Sequence, residues 1–417
     1  MWFYRAGATF LFVRLFLLRR SVNAEQQQLL AKEPAILAQQ PAEARKLHDF
    51  TWRSAFFHDL DDLEVPGYIT INDIVTALGS RPVPQPLAVA AKPWQPAVKS
   101  DSDLVGVAAP ERHSVFAPSG PDVSDRATVI NLAKMTSDAY VLDPSQPDWL
   151  NTSLKFNYSS SFGWDGDGLR GHVFADTWNK TIIVAFKGTT VDPREKWRYS
   201  DRVNDNLLFS CCCGSQRPDP YPYPPVCNCP SDTYQCNETC LSQELGQKDR
   251  YYATALSVML NVTAQFPGSE FWVVGHSLGG AVASLVGHTF GLPVVTFESP
   301  PERLPAQRLG LTGSNEPPTY HIGNTADPIF MGACNGWQSS CGIAGYAFES
   351  QCFTGKRCPY DTVGDLGWHL SIANHQINTV ISEVLEKYNT TPTCASDRDS
   401  ECVDCYNWNF NTSAFLS

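Results

Sequence analysis

Nowhere in its 417 residues does this chain run for about 20 consecutive apolar residues, the length a helix needs to cross a bilayer. The nearest approach, Ala6 to Leu18, is shorter, is interrupted by Arg14 and is flanked by Arg5, Arg19 and Arg20. Residues 1–24 therefore read as a signal peptide or a degenerate signal anchor, and no other segment could span a membrane. Basic charge is also scarce. Lysine and arginine number 31 against 43 aspartates and glutamates, for a formal net charge of -12. With no basic patch to offset it, such a surface excludes nucleic acid as a partner and repels anionic membranes, so any lipid contact must be apolar and local. Acidic residues are missing before Glu25, as in a mitochondrial presequence, but the cysteines and glycosylation sequons described next argue against that compartment. Internal repeats are absent.

What is abundant is cysteine. The 14 residues fall into three groups: Cys211, Cys212, Cys213, Cys227, Cys229, Cys236 and Cys240; Cys334, Cys341, Cys352 and Cys358; and Cys394, Cys402 and Cys405. An even total in local clusters suits disulfides formed in an oxidising lumen. The odd counts of the first and third groups call for a bridge between groups, or for free thiols. Cys402-x-x-Cys405 also has zinc-ligand spacing, but no second Cys or His pair stands at the matching distance, so no metal is expected and no cofactor is implied. Sequons begin at Asn151, Asn157, Asn179, Asn237, Asn261, Asn389 and Asn411, and point to the same secretory lumen.

Hydrophobic residues make up 43% of the chain, enough for a sizeable core. Residues 25–120 read as an extension, closed by a Pro- and Ala-rich linker from Arg81 to Pro121, with one short strand expected in Gly67 to Thr76. Residues 121–392 read as the main domain, with a Cys-rich insertion at 207–245, and 393–417 as a Cys-containing tail. Within the main domain, Asp122 or Ser124 is expected to cap a helix running to about Tyr140. Strands are expected at Gly171 to Ala175, Thr181 to Phe186, Phe271 to Val274, Pro293 to Phe297 and Thr319 to Ile322. Helices are expected at Asp249 to Phe266, Leu278 to Phe290 and Gln376 to Tyr388. Strands alternating with helices predict an α/β fold with a mainly parallel central sheet covered on both faces.

The sharpest chemical signal is Gly275-His276-Ser277-Leu278-Gly279-Gly280, a G-x-S-x-G pattern between an apolar strand and a helix of small residues. A serine on a tight strand-to-helix turn projects its hydroxyl above the sheet. Side chains at Gly275 and Gly279 would clash with the neighbouring elements, and the helix N-terminus aims free N–H groups at a developing oxyanion. Ser277 is thus the expected nucleophile. In this kind of fold the acid and then the histidine follow in the chain. Asp327, in the loop after the strand beginning at Thr319, is the expected acid, ahead of Asp361 and Asp365. His375, just before the last apolar helix, is the expected base, ahead of His369; His276 and His321 do not match the chain order. Thr189, at the end of the strand Thr181 to Phe186, and Leu278 are the expected backbone donors of an oxyanion hole.

Taken together, these blocks resemble the class 3 lipases, with an α/β-hydrolase fold. Asn204 to Cys213, Phe297-Glu298-Ser299-Pro300 and Cys402 to Trp408 narrow the resemblance to the fungal autophagy-related lipases, over roughly Ser124 to Phe410. That resemblance implies a single-pass, glycosylated enzyme that travels through the endomembrane system and multivesicular bodies to the vacuole and hydrolyses lipids of autophagic bodies and vesicle membranes, with Ser277, Asp327 and His375 as its triad. Two departures stand out. The N-terminal apolar segment is short, and Val191 to Arg198 replaces a glycine-rich stretch. The segment from Thr190 to Asn206 is read either as a lid touching lipid through Trp197 or as a solvated loop.

The expected substrate is triacylglycerol or phospholipid in membranes or droplets. A soluble carboxylesterase or feruloyl-type esterase is the alternative enzyme, and a secreted binding protein would leave Ser277, Asp327 and His375 unexplained. The sequence carries no signal for an oligomeric state.

Overall fold

The computed structural model describes residues 120–411 apart from 153–155, 167, 191–197, 213–225, 228–229, 233, 314–315, 337 and 397–401. The expected signal segment, the extension, its short strand and Trp197 lie outside the described residues. Among the described residues, no helix is long and apolar enough to cross a membrane.

The elements follow in order: α1 (Arg126–Asp138), β1 (Phe156–Phe162), β2 (Gly171–Asp176), β3 (Thr181–Phe186), α2 (Arg198–Phe209), β4 (Pro230–Asp232), β5 (Gln235–Asn237), α3 (Glu238–Leu245), α4 (Tyr251–Gln265), β6 (Glu270–His276), α5 (Leu278–Phe290), β7 (Val294–Phe297), α6 (Arg303–Arg308), β8 (Thr319–Asn324), α7 (Ser340–Ala344), β9 (Lys356–Tyr360), α8 (Thr362–Leu366), α9 (Ile377–Thr379), β10 (Ala395–Ser396) and β11 (Asn409–Asn411). Eight strands form one sheet in the order β1-β2-β3-β6-β7-β8-β9-β10. Its centre, β3-β6-β7-β8-β9, is parallel throughout, and the pairs at its edges are antiparallel. This is the α/β-hydrolase arrangement, with strands buried on both faces. β3 is accordingly apolar from Ile182 to Phe186, and β7 is apolar except for the buried Thr296.

One face is covered by α1 and the last helical segment. Val129, Leu132 and Met135 pack with Val274, Val295, Ile322, Val380, Ile381 and Val384. The opposite face is covered by α5, whose 13 residues are all buried. Its small side chains let it approach the sheet closely, as at Gly287 beside Val273 and Val294. A helix enclosed on all sides needs no polar stripe, which is why Leu278 to Phe290 shows almost none.

Three local expectations change. The cap of α1 is Asp125, whose carboxylate accepts from the N–H groups of Ala127 and Thr128, whereas Asp122 closes a turn onto Ser124. The segment read as a lid or loop is helical from Arg198 onward, and Asp201, Asn204 and Asp205 are buried, so residues 198–206 are part of the packed domain. The final helix starts as α9 but continues as a π-helix from Val380 to Leu385. Strand β1 is not marked in the sequence because Phe156-Asn157-Tyr158-Ser159-Ser160-Ser161-Phe162 is a polar edge strand without clean apolar alternation.

Six disulfides link the described cysteines: Cys211–Cys405, Cys212–Cys236, Cys227–Cys240, Cys334–Cys341, Cys352–Cys402 and Cys358–Cys394. Adjacent Cys211 and Cys212 bond to distant partners, and three of the bridges join separate sequence groups. Cys402 and Cys405 are both consumed in this way, which overturns the zinc alternative for that pair. The tail also contributes β11, which pairs in parallel with β5 in a second, three-stranded sheet, so that tail and Cys-rich insertion share one small structure.

Candidate active site

Ser277 stands between β6 and α5 with φ 55° and ψ -131°, a conformation that side-chain-bearing residues rarely adopt and that costs about 1–3 kcal/mol. Several contacts hold it there. Its N–H donates to the Phe297 carbonyl (3.1 Å), tying the turn to β7. A methyl group at Gly275 would lie 2.2 Å from the Gly279 carbonyl oxygen, and one at Gly279 would lie 2.3 Å from that of Phe186. Both positions therefore demand glycine so that the strand, the turn and α5 can close against β3.

The loops after β8 and α8 bring two more groups to this turn. His375 Nε2 is 2.8 Å from Ser277 Oγ, and His375 Nδ1 is 2.7 Å from Asp327 Oδ2. With Nδ1–H donating to the carboxylate, Nε2 is left free to accept the serine proton. Asp327 is fully buried and also accepts from the N–H groups of Ile329 (2.9 Å) and Phe330 (3.3 Å). Burial pushes its carboxyl up, but the His375 ring, the bond to that ring and further hydrogen bonds from Glu298 and Ile329 outweigh this and hold it below the ordinary carboxylate range. The other candidates lie apart. Asp361 caps α8 and accepts from Thr325, Asp365 accepts from the Tyr388 hydroxyl, and His369 is exposed.

Thr189 lies at the end of β3. Its hydroxyl donates to Asp205 Oδ2 (2.7 Å), and the N–H of Thr190 donates to Asp201 Oδ2 (2.7 Å), so two carboxyls of α2 fix the strand end beside the elbow. Burial pushes the Asp205 carboxyl well above the ordinary carboxylate range, against the bond it accepts from Thr189. Leu278 opens α5, where the first N–H groups of a helix have no intrahelical acceptor. Gly188, the residue before Thr189, runs close beside the elbow, where a methyl group on it would lie 3.0 Å from Ser277 Cβ.

Three participants were not legible in the sequence. His276 Nε2 lies 2.7 Å from the His375 carbonyl oxygen, which can only accept, so Nε2 carries the proton. Nδ1 then accepts from the Tyr140 hydroxyl at 2.6 Å. Burial, with the neighbouring His375, pulls His276 down to about 3, so it is a neutral strut that fixes the backbone of the His375 loop. Glu298, fully buried with φ 46°, is hydrogen-bonded to the carboxyl of Asp327. The only hint of its role was a charged residue in an apolar strand end. Tyr140 and His276 gave none, since the first read as a helix end and the second as an elbow filler.

The rim beside His375 is apolar. Val363, Leu366, Leu370 and Ile372 are exposed, while Trp368 between them packs on the core. No Lys or Arg occurs from Asp361 to Gln376. Of the sequon asparagines, Asn151, Asn157, Asn179, Asn261 and Asn389 are exposed, Asn237 is half-buried as the cap of α3, and the side chain of Asn411 is outside the described residues.

Residues 232–292, which include α4, the elbow and α5, match the family described as lipase (class 3). Over 300 residues the chain is 48% identical to "Putative lipase ATG15" of Pichia angusta, an alignment that covers 70% of this chain and 55% of that protein. It is 44% identical over 330 residues to "Putative lipase atg15" of Penicillium rubens, covering 75% of this chain and 48% of that one. The chain spans about half the length of the curated relatives it matches. Among solved structures, a lipase from Rhizopus microsporus var. chinensis is 16% identical with a TM-score of 0.34, over 66% of this chain and 96% of that one. A triacylglycerol lipase from Penicillium expansum is 17% identical with a TM-score of 0.33, over 58% of this chain and 82% of that one.

Proposed function

From a chain that resembles the ATG15 lipases and carries a class 3 lipase segment, we propose a serine-dependent lipase or phospholipase that cleaves ester bonds of triacylglycerol or membrane phospholipid. The observation that carries this reading is the continuous hydrogen-bonded chain Ser277–His375–Asp327 under a strained elbow. Ser277 Oγ attacks the ester carbonyl carbon while its proton passes to His375 Nε2. The carbonyl π pair moves onto oxygen, where the N–H groups of Thr189 and Leu278 stabilise it. The tetrahedral adduct collapses, the C–O bond to the alcohol breaks, and His375 gives the alcohol its proton. A water, deprotonated by the same nitrogen, then releases the fatty acid and restores Ser277. Asp327 holds the ring in the required tautomer throughout. No step calls for a metal or cofactor.

The exposed apolar side chains of Leu366, Leu370 and Ile372, in a loop without Lys or Arg, favour lipid aggregates over small dissolved esters. The bridges among the described cysteines and the exposed sequons favour an endomembrane lumen, and the relatives' name favours the vacuole and autophagic membranes as the place of action. The domain limits 121–392 and the tail 393–417 belong to the same proposal. The test is turnover of a triolein emulsion and of phosphatidylcholine vesicles beside a short-chain soluble ester. Hydrolysis of both lipid forms is expected, and activity confined to the soluble ester would make the protein a carboxylesterase instead.

A further inference from the structure

Glu298 directly follows β7, at a position that a glycine would occupy without strain. Its φ of 46° lies in the left-handed region, where a residue with a side chain costs of order 1 kcal/mol or more. Its side chain is fully buried in that conformation. One carboxyl oxygen accepts from Asn324 Nδ2 (2.8 Å) and the other from the Asn324 N–H (3.2 Å). Beyond them the carboxyl meets the carboxyl of Asp327, itself fully buried. Two fully buried carboxyls in contact strongly disfavour double ionisation, and a hydrogen bond between them needs one proton. Asp327 faces His375 Nδ1 at 2.7 Å and two backbone N–H groups, all of which favour its anion. Among the described residues, Glu298 has only the two Asn324 donors and no cation beside it.

We propose that Glu298 is a positioning residue of the site, held as the neutral acid and donating its proton in a hydrogen bond to the Asp327 carboxylate. The site is then a chain of four, Ser277–His375–Asp327–Glu298. The inference rests on the reading of Asp327 as the triad acid. Burial first, and the Asp327 charge second, push the Glu298 carboxyl well above the ordinary range, consistent with the neutral form. The donated bond aims the Asp327 carboxylate at Nδ1 and lowers its basicity. His375 is thereby oriented without being held as the imidazolium. The other titratable groups around the pair are His375 beyond Asp327, the neutral His276, and Lys187 at the end of β3.

Glu298→Gln keeps a donor for Asp327 and an acceptor for Asn324, and exchanges neutral for neutral. It is expected to keep kcat within about threefold and to leave the acid limb of kcat/KM against pH unmoved. Glu298→Met removes the donor. It is expected to lower kcat about tenfold at unchanged KM and to move the acid limb to higher pH, because an Asp327 stripped of its donor is the stronger base toward His375. The infrared difference spectrum between the wild-type protein and Glu298→Gln reads the proton directly, with or without turnover. It is expected to show the C=O stretch of a protonated carboxyl in the wild type only. A band of an ionised carboxylate in its place, or an acid limb moved to lower pH in Glu298→Gln, would overturn the proposal, because Glu298 would then be an anion. A folded Glu298→Met protein with unchanged kcat and pH profile would overturn it too. If no ester of any class were cleaved, the lipase reading would fall while the infrared result still decided the protonation of Glu298.

Discussion

Substituting Ser277 by alanine removes one oxygen from a turn whose backbone is fixed by Phe297, Gly275 and Gly279. The fold is expected to survive and ester hydrolysis to drop by on the order of 10⁴ or more. His375→Ala is expected to match that loss, whereas His369→Ala, at an exposed position, is expected to be near wild type in the same assay. The opposite ranking would reassign the base. A second residue-scale effect concerns pH. Burial pushes the Asp138 carboxyl up to about 7, against the bond it accepts from the Leu150 N–H and the charge of Lys134. In the unfolded chain it ionises near about 3.9. Between those values the folded protein keeps a proton that the unfolded chain has lost. This contribution to stability is complete below about pH 4 and is lost as pH rises through about 7. His172 and His276 act oppositely. Burial pulls them down to about 4 and about 3, so their contribution is present above about pH 6.5 and is lost as the pH falls through those values. Asp138→Asn cannot ionise. Its urea midpoint relative to wild type is expected to rise between pH 4 and pH 7, by up to about 1.4 kcal/mol per pH unit in stability. A flat difference would mean that Asp138 is already ionised in the folded protein.

At the scale of elements, α2 and the α8 loop matter most, because each places a different side of the site. Asp205 in α2 fixes Thr189 through an acceptor oxygen that asparagine also offers. Asp205→Asn is therefore expected to be mild. Asp205→Ala frees the strand end and is expected to lower kcat on a soluble ester by on the order of tenfold. Equal effects would show that the charge, and not the acceptor, matters. The α8 loop is anchored inward. Trp368 N–H donates to the Thr362 carbonyl, Ser371 N–H to the Ala326 carbonyl, and Asp361 and Asp365 are engaged by Gly364 and Tyr388. That leaves the apolar tips outermost. Leu366→Ser with Leu370→Ser is expected to lower turnover of phosphatidylcholine vesicles at least tenfold while leaving a soluble ester untouched, since up to roughly 1.5–3 kcal/mol of apolar burial per side chain is available only against lipid. Unchanged vesicle turnover would exclude this loop from the lipid contact.

For the described molecule as a whole, the cross-links decide cohesion. Cys211–Cys405 spans 194 residues and joins the end of α2 to the tail, with Cys352–Cys402 beside it. In chain-entropy terms a loop of that size is worth at most about 5 kcal/mol. Cys211→Ser with Cys405→Ser is expected to lower Tm by up to about 10 °C while kcat at low temperature persists, because among the described residues no hydrogen bond of Ser277, His375 or Asp327 runs to the tail. A proportional loss of kcat in a fully folded variant would tie the tail to the site.

The sequence by itself determined the elbow, the parallel sheet and the group of residues that meet there, because each is written in local patterns. Gly275 and Gly279 mark close approach, apolar runs mark strands buried on both faces, and chain order with position beside a strand and a helix favours Asp327 over Asp361 and Asp365 and His375 over His369 as the expected acid and base. Only the tertiary structure decided what surrounds them. Tyr140 reaches His276 across 136 residues, Asp205 reaches Thr189 across a loop, and Glu298 meets Asp327 from the neighbouring strand. It also decided which cysteines pair, with Cys352 bonded to Cys402 and Cys358 to Cys394, where spacing left many connectivities open. The physical reason is the same in each case. A turn or a buried strand is specified by its own few residues, whereas a hydrogen bond or disulfide between distant segments depends on where packing brings them, and no local pattern records that.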